Sequence, residues 1–281
     1  MADIWLKRKK KIYYSWLFAK YVLLCALVIV FVGPFFWLLS IAVRESGNIY
    51  SLKLIPENPT LDNFVYTWKN FRMYRPFMNS VIVAAAVITL QIFLCSLAAY
   101  PLARINFPGK NFIFFLILST MMIPFQLFMI PLLLTVRGLG LGNSLAGIIL
   151  PTCVGAFGIY LIKQYYQTIP EDLEEAAVID GAGEFSIWWR VMFPLTKPAI
   201  ATLGIFIFVG NWSSFLWPLI VVDDQKYYTL PVAIAKLSGT FVDKTQYLAA
   251  GSVIAILPVI IIFLFAQRYF VSGISLGAVK G

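Results

Sequence analysis

The chain has 281 residues, 60% of them hydrophobic and only 12% charged, and its mean hydropathy of +0.84 is far too apolar for a soluble domain of this size. The formal charge of +9 is concentrated in a Lys/Arg cluster directly before an apolar run, where bilayer anchoring accounts for it without invoking nucleic acid. Histidine is absent, which excludes imidazole bases and the commonest metal ligand.

Six stretches carry no Asp, Glu, Lys or Arg: 21 to 43, 76 to 103, 111 to 136, 138 to 162, 198 to 222 and 245 to 267. Each is 23 to 28 residues long. A helix crosses a bilayer with about 20 apolar residues, so the pattern predicts an all-α integral membrane protein with six transmembrane helices in one domain over 1–281. An even number of spans puts both termini on one side. With the N-terminus inside, the inner side holds 13 of the 22 Lys and Arg, led by Lys7, Arg8, Lys9, Lys10 and Lys11, so both termini are expected in the cytoplasm. The first apolar run is too long for the core of a cleaved signal peptide and has no A-x-A site after it, so it is expected to remain as helix one. Cys25, Cys95 and Cys153 fall in three different apolar stretches without C-x-x-C spacing, a pattern of core packing.

Between the spans, the outer loop 44–75 mixes turn formers and interfacial aromatics: Pro56, Pro59, Asp62, Asn63 and Trp68. Helix two should end near Tyr100-Pro101, followed by the breaker pair Pro108-Gly109. Helix three holds Pro124 and Pro131, helix four is expected to begin near Pro151, and helix six holds Pro258. Such prolines kink a span where neighbours satisfy the freed carbonyls. The glycines at 138, 140 and 142 lack G-x-G-x-x-G spacing and a βαβ context, and no G-x-x-x-x-G-K-[ST] occurs anywhere. Any nucleotide hydrolysis must therefore come from a partner. A second outer loop is expected over 223–244.

The loop 163–197 is unlike the rest. It holds six of the thirteen acidic residues: Glu171, Asp172, Glu174, Glu175, Asp180 and Glu184. Thr168 and Glu171 have the spacing of a capping box, Glu171 and Asp172 suit the positive end of a helix dipole, and Gly181 is placed to stop the helix. A second short helix is expected over about Glu184 to Met192, with Pro194 and Pro198 breaking the chain before helix five. Ala176 and Ala177 leave a face small enough for another protein's backbone, and Glu175 offers a charge to a basic partner. Phe185, Trp188 and Trp189 add apolar surface. From physics alone, this hairpin is either a docking knob or an amphipathic element lying on the headgroups.

Its spacing has a specific likeness. Glu175-Ala176-Ala177, three residues, Gly181, nine residues, then Val191-Met192-Phe193-Pro194 resembles the E-A-A-x3-G-x9-I-x-L-P coupling signature of binding-protein-dependent ABC importer permeases, with Val191 and Phe193 in place of Ile and Leu. The resemblance implies a coupling helix that docks into a cleft of an ATP-binding subunit through Glu175, Ala176, Ala177, Gly181 and Pro194. It extends along the chain and is similar to the sugar-permease branch that includes the smaller membrane subunit of the maltose transporter. The segments that carry it are Thr60-Leu61-Asp62-Asn63-Phe64, Asn79-Ser80, Ala99-Tyr100-Pro101-Leu102-Ala103-Arg104, Pro124-Phe125-Gln126 with Pro131, the run Asn211 to Leu219, and Tyr228-Thr229-Leu230-Pro231. Ser213 and Ser214 stand where that branch often has Asn and Asp. The tail ending in Gly281 also resembles the branch, in which it reaches between the ATPase subunits.

The implied assembly contains this chain, a second homologous permease subunit, two copies of an ATP-binding cassette ATPase and an extracytoplasmic solute-binding protein, in a bacterial or archaeal plasma membrane. ATP and Mg are used by the ATPase, and this chain is expected to bind no cofactor or metal and to catalyse no covalent chemistry. Alternating access would move a carbohydrate past Asn79, Gln91, Gln126, Asn211 and Trp212, polar and aromatic groups suited to a neutral sugar. The same groups equally suit interhelical hydrogen bonds. A secondary transporter would place ionisable groups at mid-membrane, and the six stretches have none. A membrane enzyme would need a further acidic cluster. A permease for peptide or phosphate shares the coupling signature, and only the segments around Trp212 and Thr229 separate it from the sugar branch.

Overall fold

The computed structural model describes the backbone of residues 2–45, 55–240 and 245–278, and the side chains of 13–45, 55–237 and 245–266. Every regular element among them is helical: α1 (Ala2–Ala42), α2 (Asp62–Asn70), α3 (Tyr74–Arg104), α4 (Lys110–Ser119), α5 (Phe125–Gly138), α6 (Leu145–Ile149), α7 (Ala156–Tyr166), α8 (Asp172–Ile179), α9 (Glu184–Ile187), α10 (Phe193–Leu195), α11 (Lys197–Trp212), α12 (Leu216–Val221), α13 (Leu230–Thr240) and α14 (Thr245–Ala278).

Three helices are single apolar rods long enough to cross a bilayer: α1 over Tyr13–Ala42, α3, and α14 over Thr245–Ala266. The other apolar stretches are broken, in the third and fourth near the prolines expected to kink them. The third bends by 100° between Lys110–Met122 and α5. Pro124 explains this: it has no N–H to give and forces the preceding Ile123 into extended backbone, ψ 118°. The fourth starts at Leu145 rather than near Pro151, because Ser144 caps the first turn of α6 by accepting the Gly147 N–H at 3.1 Å. Pro151 lies instead in a 3₁₀ turn, Leu150–Thr152, where the pair α6 and α7 bends by 44°. The fifth divides into α11 and α12 around Ser213 and Ser214.

The chain forms two compact units, residues 1–71 with 238–253, and 72–237 with 254–281. In the first, Ile41, Ala42, Ala249 and Ala250 make a small buried cluster. Asn63, from the sugar-branch segment, donates its amide to the carbonyls of Ala42 and Arg44 at 2.9 and 2.7 Å, so it satisfies the open C-terminal end of α1. Tyr66 stacks on Tyr247 at 4.4 Å.

In the second unit α3 is the central element and packs chiefly on α7 and α11. Close approach depends on small residues, as at many membrane helix interfaces. A Cβ on Gly158 of α7 would lie 2.9 Å from Cys95 Sγ, and one on Gly155 would lie 2.9 Å from Gln91 Nε2. Cys95 is thus core, as expected, whereas Cys25 on α1 is exposed and Cys153 is half-buried.

Candidate functional site

The acidic hairpin begins with α8, an eight-residue helix carrying Asp172, Glu174 and Glu175 in its first turn, where carboxylates favour the positive end of the dipole. The expected capping box does not form: Thr168 turns its hydroxyl back to the Tyr165 carbonyl at 2.8 Å, and the N-cap is Glu171 without a side-chain cap. The helix stop does form. Gly181 has φ +79°, the Gly181 N–H reaches the Val178 carbonyl and the Ala182 N–H reaches the Ala177 carbonyl, both at 2.9 Å. This is a Schellman motif, in which glycine accepts the left-handed backbone that a Cβ would strain.

After the glycine turn, α9 leads into a π-helical turn, Trp188–Met192, and then α10. Pro194 does not break the chain here. It occupies the first turn of α10, where its missing N–H is not needed, and the break falls at Thr196.

What holds the hairpin is a set of side chains on α3 that sequence reasoning did not single out. Ser96, Tyr100 and Arg104 are spaced four apart and so share one face at the end of the helix. Ser96 Oγ accepts from Trp188 Nε1 at 3.1 Å and shares a 2.6 Å hydrogen bond with Tyr166 OH; all three residues are buried. Tyr100 OH donates to Glu184 Oε2 at 2.8 Å. Arg104 pairs with Glu174 at 2.7 Å and with Glu171 at 3.4 Å, and its guanidinium also donates to the Ile169 carbonyl. The Arg104–Glu174 contact is an ion pair without hydrogen-bond alignment. Glu174 is 16% exposed and Glu171 81%, so the first pair is the sheltered one. Burial raises the pKa of the Glu174 carboxyl, and Arg104 opposes that shift without cancelling it. The signal available in the sequence was the polar spacing Ser96, Tyr100, Arg104 closing an apolar span.

The other side of the hairpin is open. Glu175 and Ala176 are exposed, Ala177 is half-buried, and Leu173, Val178, Ile179, Phe185 and Trp189 are exposed, Ile179 at 86%. Pro194 is also exposed, and Gly281 lies outside the described residues.

The five pathway candidates are not brought together. Asn79 donates to the carbonyls of Lys226 and Tyr228 at 2.8 and 2.9 Å, Gln91 donates to the Thr152 carbonyl at 3.1 Å, and Asn211 donates back to Ile207 in its own helix. Trp212 is buried and gives its N–H to the Ala255 carbonyl. Gln126 alone is exposed, at the start of α5 beside the bend at Pro124. A second feature, at the other end of α3, also escaped the sequence reading. Asn143, at φ +53°, accepts the N–H groups of Asp223 and Asp224 at 3.1 and 3.0 Å, and Ser80 accepts the Leu230 N–H at 2.8 Å.

A family model described as the binding-protein-dependent transport system inner membrane component matches residues 91–276, which include α8, the glycine turn and the part of α3 that carries Ser96, Tyr100 and Arg104. The chain belongs to this family of ABC transporter permeases. It is accordingly a multi-pass membrane protein and a transport component. Among similar permeases, the arabinooligosaccharides transport system permease protein AraQ of Halalkalibacterium halodurans is 36% identical over 281 residues, covering 98% of this chain and 100% of that protein. The trehalose transport system permease protein SugB of Mycobacterium tuberculosis is 32% identical, with 88% of this chain and 92% of that one covered. A chain in the crystal structure of a bacterial ABC transporter involved in the import of the acidic polysaccharide alginate matches with a TM-score of 0.79 over 90% of this chain and 95% of its own length. At 24% identity, that likeness speaks for the permease fold.

Proposed function

We propose that this chain is one of two permease subunits of an ATP-driven importer for sugars or oligosaccharides, working by alternating access. Both termini and the acidic hairpin lie in the cytoplasm in this reading. The hairpin docks on a separate ATPase, which binds ATP and Mg; an extracytoplasmic binding protein delivers the saccharide. The observation that carries the docking role is the hairpin itself: one face is locked to α3, while the signature residues Glu175 and Ala176 and the apolar tip at Val178 and Ile179 stand open. A headgroup-bound helix is rich in Lys and Arg, whereas α8 has neither and carries three acids, so an anionic membrane surface repels it. The permeases named above for saccharides support the substrate class.

Six spans fit the apolar helices: three single helices, two bent pairs, and α11, whose partner across the third bend, Glu184–Leu195, belongs to the hairpin. Non-helical backbone at membrane depth must be covered by protein or line a water-filled cavity. The break at Ile123–Pro124, with Met122 at 85% exposure and Gln126 exposed beside it, therefore supports a second permease subunit and a pathway on this face. Reconstitution in liposomes with the ATPase, second permease and binding protein, followed by a screen of labelled saccharides, should give ATP-dependent uptake. Uptake of peptides or ions in place of sugars would reject the substrate class. Glu175→Lys should abolish uptake and release the ATPase while the chain still inserts; unchanged uptake would reject the docking role.

A further inference from the structure

Both ends of α3 hold a neighbouring segment through side-chain hydrogen bonds, in addition to the apolar packing there. At its start, Asn79 and Ser80 grip the outer segment 222–230 through the carbonyls of Lys226 and Tyr228 and the N–H of Leu230. At its end, Ser96, Tyr100 and Arg104 grip the hairpin through Trp188, Glu184, Glu174 and Ile169. Between them α3 is one continuous helix, with Pro101 inside its last turn, unlike the bent pairs Lys110–Met122 with Phe125–Gly138 and Leu145–Thr152 with Ala156–Tyr166. From Asn79 to Arg104 it covers about 38 Å at about 1.5 Å per residue.

We propose that α3 is the rod through which movement of the hairpin reaches the outer segment 222–230, with Tyr100 and Arg104 as the inner grip and Asn79 and Ser80 as the outer one. The inference rests on the docking role of the hairpin and goes beyond it by naming the helix that takes the load. A bent span loses displacement at its bend, because a break in the hydrogen-bond ladder is where a helix yields. An unbroken helix clasped at both ends passes an axial displacement on. The grips are also of the right kind: four of the hairpin contacts come from side chains on one helical face, so a shift of α8 and α9 cannot occur without either moving α3 or breaking them. These are positioning residues, and none needs to touch the transported molecule.

The test uses the full complex in nanodiscs, with ATPase, second permease and binding protein, and a nitroxide on Gln225→Cys, an exposed position within the outer segment. Trapping with ATP and vanadate should change the label's spectrum in the otherwise unmutated chain. Tyr100→Phe keeps the ring and its packing but removes the donor to Glu184, and a lost hydrogen bond to a carboxylate is worth about tenfold in a two-state equilibrium. The ratio of the two label populations after trapping should fall by about that factor, with ATPase still co-purifying. Asn79→Ala with Ser80→Ala should blunt the response equally from the opposite end. A short cross-linker between Tyr100→Cys and Glu184→Cys should restore the response that the uncross-linked pair loses, since it replaces the hydrogen bond covalently. A full response in both Tyr100→Phe and the outer double variant, or arrest by the cross-link, would overturn the rod. Absence of the ATPase from the unmutated complex would instead overturn the docking reading, and it shows before any variant is made.

Discussion

The two ends of α3 are built from different chemistry. At the end that the proposed orientation places outside, neutral amides and hydroxyls bind backbone: Asn79 and Ser80, with Asn143 from the loop before α6, satisfy the carbonyls of Lys226 and Tyr228 and the N–H groups of Asp223, Asp224 and Leu230. At the inner end the contacts are mainly side chain to side chain and charged, with Arg104 between two glutamates and Tyr100 on a third. Neutral side chain to backbone bonds fix the shape of a segment and respond little to salt. Charged side-chain pairs act over a longer range and are weakened by salt, which suits an element that moves and returns in the proposed mechanism. In the proposed mechanism the Asn79 end is thus a fixed clasp and the Arg104 end a joint.

The sharpest way to break the clasp is steric. A Cβ on Gly147 would lie 2.3 Å from the Leu141 carbonyl oxygen and 3.1 Å from Val221 Cγ1, and neither backbone nor branched side chain can give way. Val221 also accepts the Asn143 N–H at 2.9 Å, so the insult falls beside the clasp. Gly147→Ala should cost about 3 kcal/mol and lower the yield of folded protein, as measured by thermal unfolding in detergent. An unchanged Tm would show that α6 and α12 have slack that the structure does not display.

At the joint, the two arms of Arg104 should separate cleanly. Glu174 is sheltered and Glu171 is exposed. Glu174→Ala strands a mostly buried guanidinium and should loosen the hairpin by about 2 kcal/mol, read as faster amide exchange over 172–179. Glu171→Ala removes a solvent-screened pair and should cost less than about 1 kcal/mol. Equal effects would mean that the Ile169 carbonyl, and not the ion pair, anchors Arg104. At the clasp, Asn143→Ala should cost about 1 kcal/mol, because two N–H groups lose an acceptor, and should speed proteolysis within 222–230. Raised salt should widen the gap between the two ends by weakening the joint alone.

Much of the joint was legible in the sequence and most of the clasp was not, and the reason is range. The stop at Gly181 follows from local backbone physics: a helix ending in a left-handed residue wants glycine, and the turn forms with no outside help. The acidic first turn of α8 is equally local. The capping box failed because Thr168 had a nearer acceptor in Tyr165, and local hydroxyl bonds of that kind compete with caps. The six apolar stretches were visible because charge is excluded from hydrocarbon, but the absence of charge says nothing of straightness, so the 100° bend at Pro124 appeared only as a proline. Asn79 could be read as a polar group in a span, yet its partners lie 147 and 149 residues away and no pattern in the sequence points to them.

The smallest expected effect distinguishes a joint that senses protons from one that does not. Burial holds the Glu174 pKa above its ordinary value, with Arg104 pulling it down and Glu184 and Glu171 pushing it further up. An acid whose pKa is raised on folding takes up its proton more readily in the folded hairpin than in the unfolded one. Folding of the hairpin is therefore favoured as pH falls through that raised pKa, and the gain is lost as pH rises through it. The ion pair with Arg104 works against this, and because the net shift is upward, desolvation outweighs it. Amide exchange over 172–179, corrected for the intrinsic rate, should slow modestly as pH falls from neutral toward the ordinary carboxylate range. In Glu174→Gln that slowing should vanish while the exchange of residues 222–230, at the neutral clasp, keeps its pH profile in both proteins. A hairpin that loosens on acidification would mean that the attraction of Arg104, and not the cost of burying the carboxylate, governs the joint.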